Sequence, residues 1–423
     1  MAADGLVGVD DARDTTVLIV GAGIGGLTTA LALHRQGVDC IVVESARELR
    51  PLGVGINVLP HAVRVLAALD AVGGLAAGAV ATGTLLFANR LGQEIWREPR
   101  GIDAGYTHPQ YSIHRGALQL HLLTLARERL GPDAIRTATA VADFVQDEAG
   151  VTANLVDRDG DPAGALRAGV LIGADGIHST VRRLLHPDDG GVRYSGRTIW
   201  RAVTRAAPFL DGRTMIMAGN LYRMFACYPI SPVGEDGLQD LNWVAALPLE
   251  GDAPPPQDWS RVVSASVFRE PFATWGFGWL DVPAVIDAAP VVYEYPVSDR
   301  DPLEQWGSGR VSLLGDAAHP MYPVGSNGAS QAILDAECLA DRIAELGPTA
   351  AALTAYEDER RPATTAIVQL NRQGGPELVM QLAEDRAPEG FADIHEVIPR
   401  EALETIAARY KQTAGFTVQQ ADR

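Results

Sequence analysis

The stretch TTVLIVGAGIGGLTTALALHRQGVDCIVVE, residues 15–44, decides the fold. Thr15 to Val20 is a short β-branched run that reads as a buried strand. Gly21-Ala22-Gly23-Ile24-Gly25-Gly26 follows, and Leu27 to Arg35 places its apolar residues at helical spacing. Gly37 ends that helix, and Val38 to Val43 is a second apolar strand closing on Glu44. The result is a βαβ unit with GxGxxG at its first turn and an acid 18 residues after Gly26. Gly21 permits the tight turn, Gly23 lets the backbone approach a pyrophosphate, and Gly26 lets helix and strand pack closely. The free N–H groups at the helix start would meet the phosphates, and Glu44 the ribose hydroxyls of an adenosine half. A glycine-rich turn alone is a weak signal in a chain with 44 glycines. Strand, turn, helix, second strand and acid in order make it a dinucleotide site, without saying which dinucleotide.

Around this unit the chain runs to 423 residues, enough for two or three domain-sized bodies. With 47% hydrophobic and 21% charged residues, the composition is that of a globular protein, neither disordered nor fibrous. A net charge of −18 argues against nucleic acid or an anionic membrane surface as partner. Every basic residue except Lys411 is arginine, which nearly excludes mechanisms built on an internal lysine, such as a Schiff base or a P-loop cradle. Cys40, Cys227 and Cys338 are far apart and odd in number, so neither a disulfide framework nor a CxxC metal pair is expected, and no metal. A cytoplasmic location follows. Asp4, Asp10, Asp11 and Asp14 before the first strand are the reverse of a signal peptide. Thr15 to His34 is uncharged, but its four glycines and four threonines suit a nucleotide fold better than a membrane span.

Further along, Pro60 to Leu69 and Gly116 to Leu130 read as amphipathic helices, with a strand pair at Thr84 to Trp96 turning at Asn89 to Gly92. Ala134 to Val145, Val151 to Asp157 and Leu166 to Ile172 read as strands, the last running into Gly173-Ala174-Asp175-Gly176. Residues from about 190 to 300 are richer in tryptophan and proline. They hold strand-like runs at Thr198–Thr204, Thr214–Met217, Arg223–Tyr228 and Asn242–Leu247, and a spacer with Pro254-Pro255-Pro256 that reads as an exposed loop. Arg310 to Leu314 is a buried strand ending in Gly315-Asp316, and long helical patterns cover Ser330 to Leu346 and Thr349 to Arg372. The expected architecture is α/β (α+β). A discontinuous dinucleotide domain (residues 1–78, 105–189 and 299–372) is interrupted by a β-sheet substrate domain (79–104 and 190–298), and a helical extension (373–423) follows.

Three stretches together, Gly21–Gly26, Gly173–Gly176 with Arg182 after it, and Gly315-Asp316-Ala317-Ala318-His319-Pro320, resemble the single-component FAD-dependent aromatic hydroxylases of the para-hydroxybenzoate type. The resemblance covers about residues 14 to 372. Leu49–Asn57 (LRPLGVGIN), Tyr111–Gly116 (YSIHRG), Val297–Pro302 and Asn327–Asp335 (NGASQAILD) are similar to the branch containing 5-methylphenazine-1-carboxylate hydroxylase. The resemblance implies a permanently held FAD, with NADH or NADPH as co-substrate and no Rossmann domain of its own for the nicotinamide. It implies FAD contacts at Gly21, Gly23, Ile24, Gly25, Gly26, Glu44, Ser45, Val54, Gly55 and Val141. Arg115 would lie beside the pyrophosphate. Asp175 and Arg182 belong to a motif that would serve both FAD and the nicotinamide, with Gly176 as a further cofactor contact. Asp316 would reach the ribityl region, and a loop with Pro323, Gly325, Asn327 and Gly328 would pass the isoalloxazine. Asn327 and Gly328 head a helix whose positive end would stabilise an anionic reduced flavin. His319, which could tempt towards a metal, is better read as structural or flavin-side.

The implied activity is NAD(P)H- and O2-dependent hydroxylation of an aromatic or heteroaromatic, phenazine-like acid through a flavin C4a-hydroperoxide, with or without loss of a carboxylate, in secondary metabolism. The implied partners are the aromatic substrate, dioxygen and NAD(P)H, in a monomer or homodimer. Catalytic candidates are Arg201 and Tyr228, on strands that would face the flavin; the plainer alternatives are an ion pair and a packed sheet residue. Trp200, Phe225, Trp243, Trp275 and Trp279 suit either a pocket for a flat ring or an ordinary core. A flavin halogenase needs a lysine that this region lacks, and Trp275-Gly276-Phe277-Gly278-Trp279 departs from the halogenase WxWxIP. A reductase or oxidase on the same scaffold, and a non-catalytic binding protein, are the other readings.

Overall fold

The computed structural model describes residues 15–51, 53–248 and 261–421. The proline spacer and the acidic residues before Thr15 lie outside the described residues. Two large sheets carry the molecule, with a small three-stranded sheet between the chain segments that join them.

The first sheet grows from the βαβ unit. Thr15–Val20 pairs in parallel with Cys40–Val43 on one side and with Pro162–Gly173 on the other. Pro162–Gly173 in turn pairs in parallel with Val311–Leu313, and an antiparallel pair, Ala140–Gln146 and Val151–Val156, extends the sheet. The helices Ile24–Arg35, Arg115–Leu130 and Gly328–Leu346 cover it, because the strands Val17–Val20 and Cys40–Val43 are apolar on both faces and each face needs a layer. Register then does what no single motif could. Val20 stands opposite Gly173, and Gly173 opposite Leu313, so the residues after all three strands emerge at one carboxyl edge. That edge is where open α/β sheets bind ligands.

The second sheet has eight strands, with the long Arg193–Ala206 and Gln239–Pro248 at its centre. The hairpin Thr84–Ala88 and Glu94–Pro99 joins it by parallel pairing with Thr214–Gly219, although more than a hundred residues separate them in sequence. Alternation divides this sheet sharply. One face holds Trp200, Phe225, Trp243, Phe268, Phe272 and Trp275 in a mutually stacked core. The other holds Met215, Met217, Met224, Ala226 and Tyr228. The tryptophans Trp200, Trp243 and Trp275 are therefore core, and they lie on the face away from the cavity described below; Trp279 packs at the edge of that core.

Beyond Arg372 the chain is helical, with Leu378–Arg386 and Arg400–Thr413 as its longer helices. Pro362 sits within Ala350–Arg372 without ending that helix. Among the described residues no helix is long and apolar enough to cross a membrane.

Candidate active site

Close backbone approach locks the three carboxyl-edge motifs together. Gly21 has φ +106°, and a Cβ there would lie 2.5 Å from the Ala174 carbonyl oxygen. A Cβ at Gly25 would fall 2.8 Å from the Leu314 side chain, and one at Gly26 only 2.0 Å from the Gly21 carbonyl. Gly23, by contrast, has nothing within 4 Å of such an atom and faces the cavity. Glu44 closes the second strand with its carboxylate accepting the Ala22 N–H at 2.8 Å and the Ala46 N–H at 2.7 Å, and the Ser45 hydroxyl stands 3.2 Å away.

In the second motif Asp175 caps the helix Thr180–Leu185: its carboxylate accepts the Ser179 hydroxyl at 2.5 Å and the Thr180 N–H at 2.7 Å. Arg182 is fully buried. It donates to Asp189 at 2.6 Å, to the Ala317 and Ala318 carbonyls at 3.1 and 3.0 Å, and to the Asp301 carbonyl at 3.1 Å. It is a strut between the second and third motifs and takes no part in the cavity wall.

The third motif places Asp316 in the cavity, reached by water yet ringed by protein; this burial raises its carboxyl pKa, with His319 and Arg115 pulling the other way. A Cβ at Gly328 would lie 3.9 Å from its Oδ1, so the acid stands at the start of the helix Gly328–Leu346. His319 turns inward instead. Its Nε2 is 2.6 Å from Asp335 Oδ2, and Asp335 also accepts from Arg360 at 2.7 Å and from the Gly315 N–H at 3.1 Å. Burial alone would raise Asp335, but His319 and Arg360 outweigh it and hold the carboxyl below its ordinary value. Among the described residues no three His, Cys, Asp or Glu side chains gather in a metal-holding arrangement.

These motifs open on one cavity of about 1720 Å³, floored by the first sheet's edge and roofed by the methionine-bearing face of the second. A single small-molecule pocket spans roughly 300–1,000 Å³, so there is room for two partners at once. Its wall takes in Gly23, Ile24, Gly25, Val54, Arg115, Asp175 and Gly176, the loop residues Pro323, Asn327 and Gly328, and side chains from strands of the second sheet. Of the remaining residues expected from sequence, Gly21, Gly26, Glu44, Ser45, Gly55 and Gly325 do not line the cavity, and Val141 is buried in the first core.

Arg201 and Tyr228 both line the cavity, and both are engaged. The Arg201 guanidinium donates to the Gly55 carbonyl at 2.6 Å, the Tyr228 hydroxyl donates to the same oxygen at 2.8 Å, and Asn242 Oδ1 accepts the Gly55 N–H at 2.6 Å. Three side chains of the second sheet thus clamp one residue, Gly55, at the start of the Gly55–Val58 strand. Burial raises the Tyr228 phenol, with Arg201 opposing. The loop Pro323–Gly328 is equally constrained. Gly325 (φ +64°) and Ser326 (φ +57°) are both left-handed, and a Cβ at Gly325 would fall 1.9 Å from the Tyr410 hydroxyl. That hydroxyl comes from the C-terminal extension and donates to the Val324 carbonyl at 3.1 Å, while Asn327 donates to it at 3.1 Å.

A family of FAD binding domains matches residues 14–262 and 294–371 of this chain. The chain belongs to that family. It is 48% identical over 367 residues, 85% of this chain and 90% of the other, to a phenazine 1,6-dicarboxylic acid hydroxylase of Lysobacter antibioticus. It is 35% identical to a 3-hydroxybenzoate 6-hydroxylase of Aquipseudomonas alcaligenes, over 84% and 86% of the two chains. The fold is shared with Klebsiella pneumoniae HpxO complexed with FAD and uric acid, at a TM-score of 0.72, 22% identity, and coverage of 97% and 98%. The protein is an FAD-dependent monooxygenase of the aromatic hydroxylase class. In this hydroxylase the three motifs, read separately along the sequence, are one edge of one sheet. The Gly55 clamp through Asn242, the tyrosine from the extension, and the cavity residues Arg197 and Glu377 were not read from sequence. Arg197 carried a usable signal: Arg197, Ile199 and Arg201 share one face of a strand by alternation, and all three line the cavity.

Proposed function

We propose that this monooxygenase hydroxylates a phenazine-like aromatic acid, taking a hydride from NADH or NADPH and one oxygen atom from dioxygen, the second leaving as water. One observation carries the reading: a single cavity joins the glycine-rich edge to the second sheet, so cofactor and substrate can meet without leaving the protein. The similarity to a phenazine dicarboxylate hydroxylase supports the substrate class.

The residues present fit FAD. Gly23 leaves open space where a pyrophosphate would approach, and the helix Gly328–Leu346 starts with no side-chain cap on its N–H groups. Bound FAD would supply the redox chemistry, accepting the hydride and then activating dioxygen. The chain supplies position and field. Arg115 would hold the pyrophosphate, matching its fork to phosphate oxygens, and the start of Gly328–Leu346 would favour negative charge on a reduced ring. Tyr228, Arg201 and Asn242 would act by fixing the Gly55 strand at the wall between ring and substrate, and the apolar roof excludes water from the reacting centre. Glu44 would receive the adenosine ribose. Glu44→Ala removes a charged hydrogen-bond acceptor worth about 1.5–3 kcal/mol, so FAD affinity should fall roughly ten- to a hundredfold. Equilibrium dialysis giving an unchanged affinity would refute that assignment.

Anaerobic reduction of the FAD-loaded protein by NADH and by NADPH, with and without phenazine-1-carboxylate or hydroxybenzoates, tests the function. A ligand-dependent acceleration is expected, because substrate bound in the shared cavity would lie beside the ring that accepts the hydride. Reduction at one rate whatever the ligand would favour a reductase or oxidase, and no reduction at all a binding protein.

A further inference from the structure

The arginines lining the cavity are not equivalent. Arg193 pairs with Asp301 at 2.7 Å, Arg372 pairs with Asp299 and Asp301, and Arg201 is spent on the Gly55 carbonyl. Arg115 lies beside Asp316. Arg197 remains, on the strand Arg193–Ala206 that helps form the roof. It is largely buried, and among the described residues its guanidinium makes no hydrogen bond or close ion pair, with Nε left unsatisfied. A largely buried cation with no hydrogen-bonded partner is costly, and the cavity beside it leaves room for an anion to satisfy it.

The group it senses is Glu377, in the short turn after the helix Ala350–Arg372; it is buried and lines the same cavity. Its carboxylate lies within electrostatic reach of the Gly325 N–H, in the loop Pro323–Gly328, and of Arg197. We propose that Arg197 and Glu377 form the subsite that receives a carboxylate of the aromatic substrate, Arg197 binding the anion and Glu377 admitting it by taking up a proton. This rests on the aromatic-acid reading above and adds to it a location and a coupling. The ligand's carboxylate would replace Glu377 as the counter-ion of Arg197, and a protonated Glu377 could donate its hydroxyl to that carboxylate, so no like charges are left face to face.

Burial pushes Glu377 up to about 7, with Arg197 and the Gly325 N–H opposing. Of the charged and titratable groups around it, Tyr410 is raised by burial and stays a neutral phenol, Arg372 is held by Asp299 and Asp301, and Asp385 accepts from Gln381. Below about pH 7 the protonated acid leaves Arg197 to the ligand. Above it, the ionised acid both competes for Arg197 and repels the incoming carboxylate, so affinity for an acid should fall by up to about tenfold per pH unit.

The test titrates the FAD-loaded protein with phenazine-1-carboxylate and with unsubstituted phenazine, read by perturbation of the flavin absorbance, on either side of about pH 7. Arg197→Met should weaken the acid on the order of a hundredfold and leave the parent ring unchanged, while Arg197→Lys keeps part of the preference. Glu377→Gln should bind the acid with no fall at higher pH. Equal losses for both ligands in Arg197→Met, or a wild-type affinity for the acid that ignores pH and Arg197, would overturn the subsite while leaving the hydroxylase reading in place. If neither phenazine perturbs the wild-type flavin, the substrate reading falls and takes the subsite with it. Should Arg197→Met fail to retain FAD, the Arg197→Lys preference and the Glu377→Gln pH profile decide in the same directions.

Discussion

Arg182→Met should cost this protein about 3–5 kcal/mol of stability, a loss set by what the side chain leaves behind rather than by its charge. Methionine fills most of the volume but offers no donors. The carbonyls of Asp301, Ala317 and Ala318 would be orphaned, two of them buried beside the Gly315-Asp316 turn. Asp189 would keep Arg300 at 2.6 Å, so its carboxylate is not stranded, and the lower half of the range is the better expectation. Because Arg182 joins the second motif to the third, the damage should be directional. Denaturant unfolding followed by tryptophan emission should shift to lower midpoint, and FAD release should precede it. A midpoint equal to wild type would mean that the strut is redundant. Loss of nicotinamide affinity with unchanged stability would instead return Arg182 to the ligand role that its motif suggested.

That contrast shows which parts of the site were legible along the chain. Gly21, Gly25 and Gly26 are local devices whose reasons are steric, so their spacing announces them. The convergence of the three motifs followed from the order of strands, since apolar runs that end in glycine and acid belong at a parallel sheet's carboxyl edge. Which way an aromatic points was not legible. Trp200 and Arg201 are adjacent, and pleating sends one to the stacked core and the other to the cavity, so a tryptophan-rich domain reads equally as pocket or as core until the face is known. Tyr228 and Arg201 were found as a pair, but their shared partner, the Gly55 carbonyl, lies more than a hundred residues upstream and carries no side chain to betray it. Glu377 was hidden for another reason: an acid beside Pro376 in a short turn looks solvated, and only the packing of the chain that follows buries it.

Removing residues 400–423 should abolish stable FAD retention, although the family match ends at residue 371. The helix Arg400–Thr413 delivers Tyr410, whose hydroxyl is the meeting point of Val324, Asn327 and Asn371. Without it the left-handed Gly325 and Ser326 lose the contact that defines their conformation, and the start of the helix Gly328–Leu346 loses its brace. The same segment closes a second contact. Lys411, the single lysine of the chain, reaches Glu98 at 2.8 Å, where Arg100 also binds, and Phe416 stacks on His61 and accepts the Tyr106 hydroxyl on its carbonyl. Burial would raise Glu98, yet Arg100 and Lys411 together hold it below its ordinary value; truncation leaves one cation for a carboxylate then half uncovered. Tyr410→Phe separates the two effects, since it keeps the apolar cover of the helix and removes only the hydroxyl. The loop would lose one buried hydrogen-bond hub, about 1–3 kcal/mol, and FAD should bind more weakly with an altered visible spectrum while the fold survives. If truncated protein purifies yellow and fully loaded, or Tyr410→Phe matches wild type in both affinity and spectrum, the extension is a cover for the core and not a part of the cofactor site.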